Sequence, residues 1–151
     1  MSSFYSAVRV IVENQEGEIL MVKEGKDHIH SLWDFPGGGW EDSESITECV
    51  KREVLEETGR NIELTGFLGV LKELNQQDGT ETITFVFTAE LKDQEKQEIH
   101  DKEEIIDTGF FKPEEIEDME LRIDNRTKIL KKYRQQEPSD LKHLWNNLNL
   151  L

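Results

Sequence analysis

The chain has 151 residues, room for one domain of ordinary size with a buried core, and its formal net charge is −15, from 33 acidic against 18 basic side chains. That balance disfavours non-specific binding to DNA, RNA or an anionic membrane, and a single cysteine, Cys49, excludes a disulfide framework and a CxxC metal site. Three Trp and seven Phe in well-separated apolar runs argue against disorder despite a charged fraction of 34%.

The N-terminus MSSFYSAVRVIVE lacks the basic segment of a signal peptide, and no run approaches the ~18 apolar residues of a membrane span, so a cytoplasmic protein is expected. Phe4 to Val12 is dense in Val, Ile and aromatics and reads as a strand. After a turn at Glu16-Gly17, Ile19 to Val22 reads as its neighbour. The polar stretch from Lys23 to Leu32 suits a surface loop that delivers the chain to Trp33-Asp34-Phe35-Pro36 and three glycines, expected to turn. Ser45 followed by Glu48 has the form of a capping box and predicts a helix from about Ser45 to Thr58, stopped by Gly59. Ile46, Val50 and Val54 form its apolar stripe, widened by Leu55, and Cys49 fits there as a small buried residue.

Ile62 to Leu74 predicts a strand bulged near Gly66 and Gly69, and Asn75 to Gly79 a turn into the strand Thr82 to Leu91, giving an antiparallel pair. A charged loop from Lys92 to Glu104 precedes a short strand around Thr108 to Phe111. Pro113 starts a short helix that fades near Asp118. Further helices are predicted over Asn125 to Gln135 and Ser139 to Leu148, the latter with Leu141, Leu144, Trp145 and Leu148 as its apolar face.

The chemistry gathers in GGGWEDSESITECVKREVLEETG, Gly37 to Gly59. Glu53, Glu56 and Glu57 stand at i, i+3 and i+4, so on a helix they share an arc of roughly 100°. Three like charges repel there. The crowding makes sense if a divalent cation sits between hard carboxylate oxygens.

Gly38, five residues, Glu44, seven residues, then Arg52-Glu53-Val54-Leu55-Glu56-Glu57-Thr58-Gly59 resembles the signature of the Nudix hydrolases, of MutT-like type. The last signature position, usually aliphatic, is Arg60, and Ile62 is available for its packing role. Leu32 to Gly38 and Gly109 to Ile116 also resemble the family's flanking segments, so the likeness covers about residues 4 to 120. It implies an α/β Nudix fold, an α/β/α sandwich with a mixed central sheet. One domain would span 1–151, with a core over about 4–120 and a C-terminal helical extension over about 121–151.

The resemblance further implies Mg²⁺-dependent cleavage of a pyrophosphate linkage, with Mn²⁺ as a substitute. Glu56, Glu57 and the Gly37 carbonyl would hold metal, Glu53 would be a ligand or the base, and Arg52 would orient the glutamates with Glu44 as its ion-pair partner. Gly59 supports the site by ending the helix. A further glutamate from the loop before the last strand is expected; Glu104 fits best by spacing, with Glu103 and Glu98 behind it.

Arg9, Lys23, Trp33 and Gly38 are candidate substrate contacts, with Trp40 or Phe85 as further rings for a base. His28 and His30 are weaker candidates, and the basic run from Arg122 to Arg134 reads as a solvated helix face or as one turned to substrate or partner. Marks of the ADP-ribose, dinucleoside-polyphosphate, NADH and coenzyme A subgroups are missing. What remains resembles small bacterial phosphohydrolases of nucleoside di- and triphosphates and thiamine-type pyrophosphates. An oxidised-nucleotide sanitising pyrophosphatase is the alternative, and a catalytically weak nucleotide-binding domain is the alternative of a different class. The partner is a small nucleotide or pyrophosphate substrate, with no DNA and no membrane, and a homodimer stays open.

Overall fold

The computed structural model describes residues 4–75, 79–123 and 125–141. Strand β1 (Phe4–Glu13) turns through Asn14, whose side-chain oxygen accepts from the amides of Glu16 and Glu18, while Gly17 takes φ +76°. Strand β2 (Ile19–Glu24) runs two residues beyond its expected end and takes Lys23 and Glu24 out of the predicted loop. A single 3₁₀ turn at Asp27–Ile29 follows.

Strands β3 (Trp33–Asp34) and β4 (Gly37–Gly39) come next, and the glycines expected to turn instead pair antiparallel with β1, Gly37 opposite Arg9. The reason is steric. Gly37 has φ +151°, and a Cβ there would stand 2.0 Å from the Val8 carbonyl oxygen, so only glycine lets the two backbones approach.

Helix α1 (Ile46–Thr58) begins at the predicted capping box. Ser45 Oγ accepts from the Glu48 amide at 3.2 Å, and the Glu48 carboxylate accepts from the Ser45 amide at 2.7 Å. It ends at Gly59 in the left-handed region, φ +69°, with the Gly59 amide donating to the Leu55 carbonyl. Strands β5 (Ile62–Leu74) and β6 (Glu81–Leu91) form the expected antiparallel pair, with register shifts at Leu64/Gly66 and Phe67/Gly69. Strand β7 (Ile105–Phe111) starts three residues earlier than the sequence suggests and is followed by α2 (Pro113–Glu117) and α3 (Asn125–Gln135).

The sheet is mixed, with order β3-β2-β1-β6-β5; β1 and β6 are parallel, and β7 lies along β2. Strands β1 and β2 share only the pair Glu13↔Ile19 and then part, β4 running along β1 and β3 along β2. This fork opens the sheet beside Gly37. On one face, Ile46, Cys49, Val50 and Val54 of α1 bury against Val8, Val10, Val12 and Phe87. On the other, Ile129 and Leu130 of α3 and Ile116 of α2 cover Ile11, Met21 and Phe35. Burying each such aliphatic side chain contributes roughly 1.5–3 kcal/mol.

Past α3, Ser139 exchanges backbone hydrogen bonds with Phe67 rather than opening a helix. A side chain at Gly66 would meet Pro138, so the bulge makes room for this segment. Leu144, Trp145 and Leu148 of the predicted last helix lie outside the described residues, as do Gln76 to Asp78 of the predicted turn.

Candidate functional site

The fork leads into a cleft of about 650 Å³ between α1, the β4 glycines, the start of β1 and the chain before β7. Gly37, Gly38, Arg52, Glu53, Glu56, Glu57 and Glu104, all singled out from the sequence, line it. Arg52 organises the acidic wall. Its Nε and Nη2 donate to the two carboxylate oxygens of Glu44 at 2.9 and 2.8 Å. Its Nη1 donates to Glu53 at 2.9 Å and to Glu56 at 3.2 Å, and Nη2 also reaches the Gly39 carbonyl at 3.0 Å. The expected Glu44–Arg52 pair is therefore a two-pronged bond, which holds the Glu44 carboxyl down to about 2.

Glu57 is 7% exposed, and one of its oxygens accepts from the Gly37 amide at 2.9 Å. The Gly37 group turned to Glu57 is thus its N–H. Burial pushes the Glu57 carboxyl well above the ordinary range, against the pull of Arg9 and of that amide. Burial likewise raises Glu53, against the pull of Arg52. Gly38 serves Glu53 directly: a Cβ at Gly38 would stand 2.6 Å from its carboxylate.

Among the described residues no three acidic, His or Cys side chains form a ready-made metal cluster, and Arg52 Nη1 lies between Glu53 and Glu56. The donor set nevertheless fits a hard divalent cation. It consists of oxygens alone, and two of its carboxylates are buried with their charge only partly offset, which a cation in the cleft would relieve.

Glu104 faces the cleft with its side chain 52% exposed and an ion pair to Lys26 at 3.4 Å. Glu103 and Glu98 do not line the cleft; Glu98 pairs with Lys102 on the surface. Trp40 borders the cleft, edge-on to Phe85 at 6.1 Å. Lys23 and Trp33 are placed elsewhere, stacked on each other at 5.5 Å, with Trp33 against Phe111. Arg9 lies beneath the cleft, 8% exposed, its Nε 3.4 Å from Asp34. His28 and His30 are exposed and stand away from the cleft. Cys49 is buried as expected, its thiol pushed up to about 12, chiefly by burial and then by Glu44.

The floor is built from two arginines of the basic run together with Glu24, Asp34, Glu73 and Asp101, which the sequence did not single out as site residues. Arg126, 0% exposed, donates to Asp34 from Nε at 2.5 Å and Nη2 at 3.2 Å, and from Nη1 to Glu73. Arg122 Nη1 reaches Glu24 at 3.4 Å, and both line the cleft together with Asp101. The basic run is therefore split: Arg126 is internal, Arg122 faces the cleft, and Lys128, Lys131, Lys132 and Arg134 are exposed. The one available signal was parity, since Glu24 follows Leu20 and Val22 at spacing two on a strand.

The NUDIX domain model matches residues 4–133. The chain belongs to the Nudix family. A Nudix hydrolase of Nitrosomonas europaea superposes with a TM-score of 0.87 over 96% of this chain and 98% of that one, at 23% identity. A MutT protein of Methanosarcina mazei superposes at 0.75 over 89% and 95%, also at 23%. These two likenesses establish the Nudix fold. By sequence, a putative 8-oxo-dGTP diphosphatase of Bacillus subtilis is 46% identical over 69 residues, 46% of this chain and 44% of its own length. An 8-oxo-dGDP phosphatase of Danio rerio is 36% identical over 83 residues, 55% of this chain and 24% of its own. The chain thus spans less than half the length of these relatives. No described helix of this Nudix chain is long and apolar enough to cross a membrane.

Proposed function

We propose that this chain hydrolyses the pyrophosphate linkage of a nucleoside di- or triphosphate, with Mg²⁺ as cofactor and Mn²⁺ as a substitute. The observation that carries the proposal is the burial of Glu53 and Glu57 beside half-buried Glu56, on the wall of a cleft large enough for a nucleotide. Glu56 and Glu57 would hold the cation, with Glu53 or Glu104 alongside. Bound there, it supplies the positive charge against which phosphate oxygens are held.

The chain's own groups do the rest. Arg52 fixes Glu53 through one carboxylate oxygen and leaves the other free to take a proton from the attacking water. Gly37 holds Glu57 by its amide, and Gly38, lacking a side chain, keeps the approach to Glu53 open. Glu104 stands across the cleft as the alternative base. Removal of oxidised guanine nucleotides is the substrate choice favoured by the Bacillus subtilis and Danio rerio relatives, named for 8-oxo-dGTP and 8-oxo-dGDP.

The test is a panel of nucleoside di- and triphosphates, 8-oxo-dGTP included, scored for phosphate and pyrophosphate release with and without Mg²⁺. Turnover that needs the metal and collapses in Glu56→Gln is expected. Should nothing turn over while nucleotides still raise the melting temperature, the chain is a binding domain instead.

A further inference from the structure

The cleft holds a second charged pair that the chemistry at the acidic wall does not use. Glu24 closes β2 at 4% exposure, yet lines the cleft. Among the described residues the one hydrogen bond to its carboxylate comes from Arg122 Nη1, at 3.4 Å to Oε1, and none reaches Oε2.

Arg122 is held from the other side. Its amide donates to the Trp33 carbonyl at 2.8 Å, and the Trp33 amide to the Glu120 carbonyl at 2.8 Å, so the segment before α3 is pinned along β3. A structural ion pair would bring the two groups into full contact away from ligand. Here a buried carboxylate is loosely bonded and opens on the cavity, with a cation at one end whose backbone is pinned.

We propose that Glu24 and Arg122 read the base of the substrate and select a guanine-type edge. This rests on the nucleotide reading above. Guanine presents, in order, the O6 acceptor, the N1–H donor and the N2–H donor; its 8-oxo form presents the same three. Arg122 would donate to O6, and the two oxygens of Glu24 would accept from N1–H and N2–H, Oε1 being the oxygen beside Arg122. Adenine offers one donor and turns a lone pair at N1 toward the carboxylate. Cytosine does the same at N3, and uracil offers a single donor.

A two-pronged pair of this kind separates the right base from the wrong one by roughly ten- to a hundredfold. Glutamine at position 24 would accept from adenine N6–H and donate to adenine N1. Glu24→Gln is therefore expected to turn the preference toward adenine, which a merely structural role for Glu24 would not do.

The experiment measures kcat/KM for dGTP, dATP, dUTP and dCTP with Mg²⁺ in the wild type and Glu24→Gln. Metal-free calorimetry of dGMP and dAMP binding, with melting temperatures as a folding control, keeps the test open if a variant is unstable; Arg122→Gln is measured alongside. Expected are a guanine preference of about tenfold or more in the wild type, its loss or inversion in Glu24→Gln, and its weakening in Arg122→Gln, in both kinetics and product binding. Turnover with no base preference, or an equal loss on all four nucleotides, overturns the assignment and leaves the hydrolase reading intact. Absence of turnover and of mononucleotide binding in the folded wild type overturns both.

Discussion

Replacing Arg126 by methionine should unfold the protein far more easily than replacing any exposed cation of the same helix. Arg126 is fully buried and makes two hydrogen bonds to Asp34 and one to Glu73. Methionine fills much of the same space but leaves Asp34, also fully buried, with the Phe35 amide at 2.7 Å and, as cations, Arg9 at 3.4 Å and Arg122 at 4.0 Å. Breaking a buried pair by removing one partner costs about 3–5 kcal/mol, and the two remaining cations argue for the lower end. At about 3 °C per kcal/mol for a chain of this size, the melting temperature should fall by roughly 10 °C. Lys131→Met, on the exposed face of α3, should stay within about 2 °C.

The pH dependence gives a second reading of the same variant. Burial pushes Asp34 and Glu73 up, but Arg9 and Arg126 at Asp34, and Arg126 at Glu73, hold both below their ordinary 3.8 and 4.5. Carboxyls lowered in the fold contribute stability above those values and lose it as pH falls through their lower folded values. The gap between wild type and Arg126→Met should therefore be widest near neutral pH and close below about pH 4. Thermal melts followed by circular dichroism from pH 7 to 3 measure it. A neutral-pH shift under about 3 °C, or a gap independent of pH, would refute the claim that Arg126 compensates the buried charge of Asp34.

Other changes test the site. Glu57→Gln should raise the metal-free melting temperature by about 2–4 °C, because burial disfavours its charge, while abolishing the stabilisation by Mg²⁺ expected of the wild type. A lowered metal-free melting temperature would count against the burial argument. Gly38→Ala puts a methyl group 2.6 Å from the Glu53 carboxylate and should cut kcat about tenfold or more with a small change in melting temperature. Glu104→Gln should lower turnover by about 10²-fold if its carboxylate takes the proton; unchanged turnover and metal dependence across pH remove it from the site.

The elements legible in the sequence were those whose cause is local. Ser45 and Glu48 cap each other three residues apart, Gly59 stops the same helix, and the glycines of β5 mark its bulges, so each is decided within a few residues. Arg52, Glu53, Glu56 and Glu57 were legible for the same reason, since helical spacing alone puts them on one wall. The β4 glycines read as a turn because their partner, β1, lies almost thirty residues away. Lys23 and Trp33 were candidates by residue type, but β2 runs on past Val22, and parity sends Lys23 to the face opposite Glu24.

The floor of the cleft was illegible for a different reason. Arg126 and Asp34 are separated by 92 positions, and Arg126 sits in a run of six basic residues whose simplest reading is a solvated face. Burying it requires two anions at once, Asp34 from β3 and Glu73 from β5, and no window of sequence contains both beside it. The consequence reaches the site. Asp34 receives Arg126 on one side and Arg9 on the other, and Arg9 is the strongest pull toward ionisation on Glu57. A charge on α3 thus bears, through two buried ion pairs, on a carboxylate of α1 across the sheet. Because those pairs are desolvated, salt should screen them far less than the exposed Arg134–Glu114 pair on the same helix. Melting Arg126→Met and Arg134→Met in low and high salt separates the two cases: the first deficit should persist, and the second, small to begin with, should vanish.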